Sequence, residues 1–294
     1  MRALDRVWLG EHPLPPLSGG DKNDRGRALV VGGAEFVPGA LRLTGEAALR
    51  CGAGKLQLAT VRAAAMPLAV LMPEASMIAL PADDDGEIAP AAVEILADRL
   101  DQCDALVIGP GMSAGERTGD LVAAVLGRME TGQTVVLDAA ALTCCYGQEQ
   151  RVSGCRARIV MTPHHGEMSR LANIEPEQIA RDPQAVALGV ASAFGAVVAL
   201  KGERTVIATP GGESVLFDGG SIGLATGGSG DVLAGIIGGL AARGADPFAA
   251  AGWGVFVHGA AGARAAREIA PVGFLARDLL PAIPGLLSEL GDAR

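Results

Sequence analysis

Short apolar runs alternate along the chain with longer segments in which apolar residues recur at helical spacing. The runs are rich in Val, Leu, Ile and Ala, which is typical of strands buried on both faces. The alternation predicts an α/β fold with a mainly parallel sheet covered by helices on both faces. The predicted strands are residues 28–33, 55–60, 104–109, 134–138, 157–161, 197–200 and 205–208.

The helical segments lie between and after these strands. The chain contains no internal repeat and no low-complexity linker, so we expect one domain over residues 1–294, with residues 1–20 as an N-terminal extension. In sheets of this kind, ligands bind where strands end and helices begin. The predicted helices are residues 38–51, 117–129, 231–243, 247–268 and 275–289, with another beginning near residue 167.

Composition narrows the choice of partners. Hydrophobic residues make up 49% of the 294 residues and charged residues 19%, which excludes a disordered chain. Acidic residues outnumber basic ones by 33 to 24 without a basic block, so neither nucleic acid nor a membrane is an expected partner. The N-terminus has no apolar signal core, and the late uncharged stretch 247–263 is shorter than the ~20 residues of a spanning helix. We therefore expect a soluble, cytoplasmic protein.

The motif TGGSGD at residues 226–231 runs directly into the predicted helix 231–243. Glycines let the backbone approach a ligand, and a helix N-terminus offers unpaired N–H groups and a positive dipole end. Together they form a site suited to phosphate. Asp231 is unexpected there, because a carboxylate repels phosphate. It either accepts the proton of a hydroxyl that attacks phosphorus or serves as the helix N-cap.

Two further polar motifs follow predicted strands. KGERT at residues 201–205 is interpreted as a nucleotide-contacting turn in which Lys201 neutralises phosphate charge, or as a charged hairpin turn. TPHHGE at residues 162–167 opens a helix. Its Glu167 either holds Mg²⁺ through water or complements the helix dipole from the first turn.

Three other features have structural interpretations. Asp138, at the end of a predicted strand, is interpreted as a helix N-cap. His258, in an apolar helix rich in Gly and Ala, is interpreted as a satisfied core histidine. The five cysteines are odd in number and form no C-x-x-C pair, so we expect neither a disulfide framework nor a zinc site.

As an ordered set, these motifs resemble the ADP-dependent NAD(P)H-hydrate dehydratases, a family with a ribokinase-like fold. The resemblance covers residues 21–290. It implies an enzyme of nicotinamide cofactor repair: ADP phosphorylates the ring hydroxyl of hydrated NADH or NADPH, phosphate leaves, and NADH or NADPH, AMP and phosphate are released. The motifs that carry it are ALVVGG at 28–33, PGA at 38–40, GPG at 109–111, LDA at 137–139, TPHHGE at 162–167, LKGERT at 200–205 and ATGGSGDVLAGIIGGL at 225–240.

The resemblance also implies roles for single residues. Asp231 matches the base that activates the ring hydroxyl and contacts the substrate, and Glu167 lies where relatives use a glutamate near Mg²⁺. The implied contacts to the hydrated cofactor are Ala40, Gly111 and His164. The implied contacts to ADP and AMP are Lys201, Gly202, Glu203, Arg204 and Thr205, together with Gly228, Ser229 and Gly230 of the anion-binding loop.

The chain departs from the family pattern at two places. The usual Asp-Ala-Asp-Ala-Leu has Ala140 in place of its second acid, and Met112 and Ser113 follow the GPG turn where Leu-Gly is usual. Many relatives carry an N-terminal epimerase domain, for which this chain has no room. We therefore expect a separate protein to convert the wrong epimer. The low charge and the helices rich in Gly and Ala predict a homo-oligomer.

Two other functions fit the same motifs. A small-molecule kinase of this fold, which phosphorylates a vitamin precursor or a sugar with ATP, would use the same anion-binding loop and the same aspartate. A nucleotide sensor without catalytic activity would fit the missing acid at Ala140.

Overall fold

The strands of the computed structural model, which describes residues 1–16 and 21–291, join into a ten-stranded sheet. Every strand predicted from the apolar runs is present, with its ends within two residues of the prediction. The strands are β1 (Arg2–Ala3), β2 (Arg27–Val31), β3 (Lys55–Val61), β4 (Ser76–Leu80), β5 (Ala105–Ile108), β6 (Thr134–Leu137), β7 (Arg158–Met161), β8 (Val197–Leu200), β9 (Thr205–Ala208) and β10 (Ser214–Phe217).

Helices occupy the connections between these strands and most of the last third of the chain. The α-helices are α1 (Arg6–Glu11), α2 (Gly39–Arg50), α3 (Arg62–Leu71), α4 (Ala92–Leu100), α5 (Glu116–Leu126), α6 (Ala139–Thr143), α7 (Glu149–Ser153), α8 (His165–Ala172), α9 (Pro176–Arg181), α10 (Pro183–Phe194), α11 (Ser229–Ala242), α12 (Pro247–Glu268), α13 (Ala276–Leu279) and α14 (Ile283–Gly291). Two short 3₁₀ helices span Ile222–Leu224 and Leu280–Ala282.

The sheet is mainly parallel, as predicted. Strands β4, β3, β2, β5, β6, β7 and β8 lie side by side in that order and run in one direction. Strands β9 and β10 continue the sheet in antiparallel pairing, and β1 joins β10 in parallel. Because β6, β7 and β8 are neighbours, the residues that follow their carboxyl ends meet at one edge of the sheet.

Both faces of the sheet are covered. Successive strand residues point to opposite faces, so Val30 and Val107 enter one buried cluster while Leu29 and Leu106 enter another. The first cluster includes residues of α2, α11 and α12, and the second includes residues of α4, α5 and α10. This double burial explains why the strands are apolar at consecutive positions.

Helix α11 lies so close to α2 and the sheet that glycine is required at the contacts. A Cβ at Gly235 would lie 2.2 Å from the carbonyl oxygen of Thr44 on α2. At Gly238, it would lie 2.3 Å from Cγ2 of Val107 on β5. Both glycines are buried. This packing fixes the first turn of α11 relative to the sheet.

The prediction of one continuous C-terminal helix over residues 275–289 is wrong. Helix α13 ends at the 3₁₀ turn Leu280–Ala282, and α14 starts again at Ile283. Pro281 lies in that turn and has no N–H group for the α-helical ladder. Helix α12, in contrast, has the predicted bounds. In the part of the chain that the structure describes, no helix is long and apolar enough to cross a membrane.

Candidate active site

The TGGSGD loop turns into helix α11 at Gly228, which has a φ of +87°. A Cβ there would lie 2.6 Å from Cδ1 of Leu43, so the loop also touches α2. Ser229 starts the helix, and its N–H donates to the carbonyl of Thr226 at 3.3 Å. The other N–H groups of a helix's first turn have no partner within the helix, and with the helix dipole they attract anions. The loop therefore has the geometry that the predicted anion site requires.

Asp231 is the third residue of α11. Gly228 occupies the N-cap position, so the N-cap interpretation of Asp231 is wrong. Its carboxyl group is half-buried. Burial, followed by the charge of Asp138, raises the pKa of Asp231 to about 7, although Lys201 opposes the shift. A carboxyl group with a pKa near neutrality can accept a hydroxyl proton and release it again.

Lys201 follows β8 and binds a carboxylate that follows β6. Its Nζ lies 3.2 Å from Oδ1 of Asp138, and Oγ1 of Thr162 donates to the same oxygen at 2.6 Å. Burial lowers the pKa of Lys201, but the charges of Asp138 and Glu167 raise it more, so the ammonium group stays charged. Asp138 precedes α6 but makes no capping hydrogen bond. Asp138 therefore occupies the predicted N-cap position, but its carboxylate holds Lys201 instead of capping the helix.

Glu167 and His164 form a capping box at the start of α8. The N–H of His164 donates to Oε2 of Glu167 at 2.8 Å, and the N–H of Glu167 donates to Nδ1 of His164 at 3.1 Å. The same Oε2 lies 3.8 Å from Nζ of Lys201. The first-turn interpretation of Glu167 is confirmed, and its carboxylate also belongs to the charge cluster around Lys201.

Three carboxylates thus surround one ammonium group. Asp138 and Glu167 lie within 4 Å of Nζ of Lys201, and Asp231 is close enough for its charge to raise the pKa of Lys201. Within residues 1–16 and 21–291, no group of three or more His, Cys, Asp and Glu side chains is arranged to hold a metal ion. The cluster is organised around Lys201.

The KGERT segment is the hairpin turn between β8 and β9. Lys201 forms a parallel bridge with His164, and its N–H donates to the carbonyl of Pro163 at 2.8 Å. The turn itself is exposed at Gly202, Glu203 and Arg204, and Thr205 begins β9. The exposed residues of the turn therefore lie directly beside the charge cluster, and a ligand can reach them from solvent.

Ala40 and Gly111 also meet. Gly111 has a φ of +70°, and a Cβ there would lie 3.1 Å from Cβ of Ala40. The two glycine turns that follow β2 and β5 are joined because the N–H groups of Gly33 and Ala34 donate to Pro110 and Gly111, each at 2.8 Å. Since Ala40 and Leu43 both lie near the start of α2, that helix connects this pair to the anion-binding loop.

Two partners in this region were missed by sequence reasoning. Thr162 was part of a recognised motif, but its bond to Asp138 depends on the adjacency of β6 and β7. His258, on α12, bonds to Ser229 of the anion-binding loop, so its ring is satisfied as predicted, but that partner was not foreseen. Its only signal in the sequence was the presence of an ionisable group in an apolar helix.

A surface cleft lies away from these residues. It has a volume of about 580 Å³ and is formed by residues of α5, α6 and α7 and their adjoining turns, with Arg170 of α8 at its edge. None of the residues of the anion-binding loop or the charge cluster lines it. This cleft therefore does not coincide with the residues that can carry chemistry.

Sequence comparison shows which known proteins this chain resembles. A sequence model described as NAD(P)H-hydrate dehydratase matches residues 28–285. The ADP-dependent (S)-NAD(P)H-hydrate dehydratase of Xanthomonas campestris is 45% identical over 291 residues, 99% of this chain and 97% of the relative. The bifunctional NAD(P)H-hydrate repair enzyme of Moorella thermoacetica is 39% identical over 99% of this chain, which spans only 54% of that longer protein.

Comparison with solved structures agrees with the sequence comparison. The ADP/ATP-dependent NAD(P)H-hydrate dehydratase of Bacillus subtilis, co-crystallised with ATP and Mg²⁺, superimposes with a TM-score of 0.83 at 28% identity, covering 98% of both chains. A ribokinase-like superfamily protein of Enterococcus faecalis has a TM-score of 0.82 at 28% identity, covering 99% of this chain and 96% of the other. The predicted ribokinase-like fold is confirmed.

Proposed function

Because the chain belongs to the NAD(P)H-hydrate dehydratase family, we propose that it is a hydro-lyase that converts hydrated NADH or NADPH to NADH or NADPH with consumption of ADP. The observation that carries this proposal is the placement of Asp231. Its carboxyl group lies in the first turn of an anion-binding helix, and its pKa is raised to about 7 by burial and by Asp138. One group can therefore face both a phosphoryl group and the hydroxyl that attacks it.

In the first step, Asp231 accepts the proton of the ring hydroxyl as the oxygen attacks the β-phosphorus of ADP. A new P–O bond forms, and the bond between that phosphorus and the oxygen of AMP breaks. In the second step, phosphate leaves with the electrons of the C–O bond, and loss of a proton from the adjacent ring carbon restores the double bond. The products are the reduced nicotinamide cofactor, AMP, phosphate and a proton released to solvent.

Backbone groups neutralise most of the phosphate charge in this proposal. The Lys201 ammonium is already bound to Asp138 at 3.2 Å and lies near Glu167, so the anion-binding loop supplies the principal donors. N–H groups aimed at an anion need no rearrangement when the transition state forms. The proposed nucleotide contacts are Gly228, Ser229 and Gly230 of the loop, and Lys201, Gly202, Glu203, Arg204 and Thr205 of the β8–β9 turn.

The hydrated nicotinamide is assigned to the other side of Asp231. Ala40 and Gly111 form a pair at the ends of β2 and β5, and α2 connects that pair to the loop. His164 is exposed at the start of α8 and is held by Glu167. We assign Ala40, Gly111 and His164, with Asp231, as its contacts.

The residues present fit a magnesium ion that is held mainly by the nucleotide. Mg²⁺ keeps several waters and uses few carboxylates, so one acidic side chain in the outer sphere is sufficient. Oε2 of Glu167 accepts the His164 N–H, while Oε1 lies 3.6 Å from Nε2 of His164 and can accept from a water. When bound, the ion neutralises charge on the phosphates. Glu167 would orient one of its waters.

The test is to mix the purified chain with hydrated NADH, Mg²⁺ and either ADP, ATP or no nucleotide, and to follow the return of reduced-nicotinamide absorbance. Recovery with ADP and none without nucleotide supports the proposal. Recovery with ATP alone would keep the chemistry and change the phosphoryl donor. No recovery with either, from protein shown to bind ADP, would overturn it.

A further inference from the structure

The ring of His258 makes two contacts with one residue of the anion-binding loop. Its Nε2 lies 3.0 Å from Oγ of Ser229 and 3.0 Å from the carbonyl oxygen of the same residue. Ser229 is the first residue of α11 and is only 5% exposed. A buried hydroxyl at the start of the proposed anion-binding helix is therefore held by a histidine on the neighbouring helix α12.

The two contacts determine where the ring proton lies. A carbonyl oxygen can only accept a hydrogen bond, so Nε2 must carry the proton that is donated to it. The hydroxyl oxygen of Ser229 lies at the same distance from Nε2 and accepts from the same N–H. Burial lowers the pKa of His258 to about 4, so the ring is neutral at physiological pH. Nδ1 then has the lone pair, and Nε2 cannot act as a base toward Ser229.

The hydroxyl proton of Ser229 is consequently available. In the part of the chain that the structure describes, Oγ has no polar partner at hydrogen-bond distance other than His258 Nε2. A serine hydroxyl can either donate or accept, and its rotation normally leaves that choice open. Here the Nε2–H of His258 donates to the hydroxyl oxygen, so the hydroxyl is left to donate its own proton.

We propose that His258 is a positioning residue that makes the Ser229 hydroxyl a donor to the phosphoryl group in the anion-binding loop. This inference rests on the proposed dehydration, in which that phosphoryl group moves from ADP to the ring hydroxyl. The same geometry excludes His258 as a base that would activate Ser229 as a nucleophile, because the nitrogen that faces the hydroxyl is protonated. The donor complements the backbone N–H groups at a site where Lys201 is bound to Asp138.

The kinetic test uses four variants: S229A, H258L, H258Q and the double variant S229A/H258L. Loss of one donor to a developing anion lowers kcat by about 10²-fold. We expect S229A and H258L each to show a loss of that order in kcat, with little change in the KM for hydrated NADH. The double variant should be no slower than the slower single variant, because both changes remove the same donor.

H258Q is the matched control, since its side-chain amide can place an N–H where Nε2 lies. It should recover most of the activity lost in H258L. Losses that multiply in the double variant, or an H258Q as slow as H258L, would overturn the inference. Thermal unfolding of each variant identifies a loss that comes from misfolding, and S229A, which removes only one oxygen atom, keeps the test valid if H258L is unstable.

A second measurement does not depend on activity. The ¹⁵N chemical shifts of the imidazole rings report which nitrogen carries the proton, and the signals that disappear in H258Q identify His258 among the four histidines. The expected result at pH 7 is a neutral ring with the proton on Nε2. A proton on Nδ1, or a charged ring, would refute the inference even if the dehydratase assay succeeds. An inactive wild-type protein would instead count against the proposed function.

Discussion

The Lys201 ammonium lies 3.2 Å from a carboxylate oxygen of Asp138, and both charges of this pair act on the pKa of a third residue, Asp231. The two partners act on Asp231 in opposite directions, because the Asp138 charge raises its pKa and the Lys201 charge lowers it. Lys201 also has Glu167 3.8 Å away, so its charge is shared among carboxylates. The pKa of the proposed base is therefore set by the pair and by burial together.

Replacing the proposed base should separate binding from turnover. We expect D231N to bind ADP with nearly wild-type affinity and to lose turnover, since an amide cannot accept the hydroxyl proton. Calorimetric titration with ADP and the absorbance assay measure the two properties. Normal turnover in D231N would remove Asp231 as the base.

The same variant should be more stable than the wild type at pH 8. Burial raises the pKa of Asp231 from 3.8 to about 7. The folded state therefore binds a proton more tightly than the unfolded state, and the contribution to stability declines as pH rises from about 4 to 7. An asparagine avoids the buried charge, and we expect a gain of about 1–2 kcal/mol, or about 2–8 °C in Tm. A lower Tm for D231N would contradict this account.

Activity should rise with pH, whereas the contribution of Asp231 to stability declines. A base works in its ionised form, so kcat/KM should fall as pH decreases through about 7 and level off above it. The measurement is a pH profile of kcat/KM at fixed Mg²⁺ and saturating ADP. A profile that is flat between pH 6 and 8 would show that Asp231 does not titrate in the ADP-bound enzyme.

Replacing Asp138 and replacing Lys201 should shift the midpoint of the pH profile of kcat/KM in opposite directions. D138N removes the charge that raises the pKa of Asp231, so the midpoint should shift to lower pH. K201M removes the charge that lowers this pKa, so the midpoint should shift to higher pH. K201M should also lose stability, about 3 kcal/mol, because it leaves Asp138 buried without its cation.

Exposed residues away from the site provide the controls for this pair. Asp120 and Lys22 are both exposed, so D120N and K22M change the same charges without entering the cluster. Both controls should keep the wild-type midpoint. Shifts in one common direction for D138N and K201M would show that the pair does not set the pKa of Asp231.

The anion-binding loop offers a comparison between two neighbouring glycines. Gly228 has a φ of +87° and a Cβ there would lie 2.6 Å from Leu43, whereas a Cβ at Gly227 would meet nothing within 4 Å. We expect G228A to lower the free energy of unfolding by about 1–2 kcal/mol and to weaken ADP binding. G227A should keep the wild-type Tm. Equal Tm values for both variants would mean that the loop tolerates a side chain at either position.

Most of the parallel sheet could be predicted because its strands are buried on both faces. Strands β8 and β9 match their predicted bounds at every residue, since their apolar runs end at the polar KGERT turn. Strands at the sheet edges carried a poorer signal. The apolar run Met77–Leu80 of β4 was not assigned as a strand, and only its last residue is fully buried, whereas β1 contributes two exposed residues and no apolar run.

The charge cluster could not be predicted, although its members could be named. Asp138 and Lys201 are 63 residues apart in the chain, and their contact depends on the order β6–β7–β8 in the sheet. Nothing in the local pattern around Asp138 distinguishes an N-cap from a buried ion-pair partner. His258 shows the same limit, because its partner Ser229 lies on another helix, 29 residues earlier.

Helix α11 is buried at every residue from Val232 to Ala242, and its first turn forms the anion-binding loop. Amide hydrogens in such a helix exchange with solvent only when the whole fold opens. The first turn of α11 is therefore anchored to the core, and heat should abolish activity and structure in a single transition. For the same reason, a nucleotide bound at this turn should protect amides throughout the sheet from exchange, at sites far from any atom that it touches.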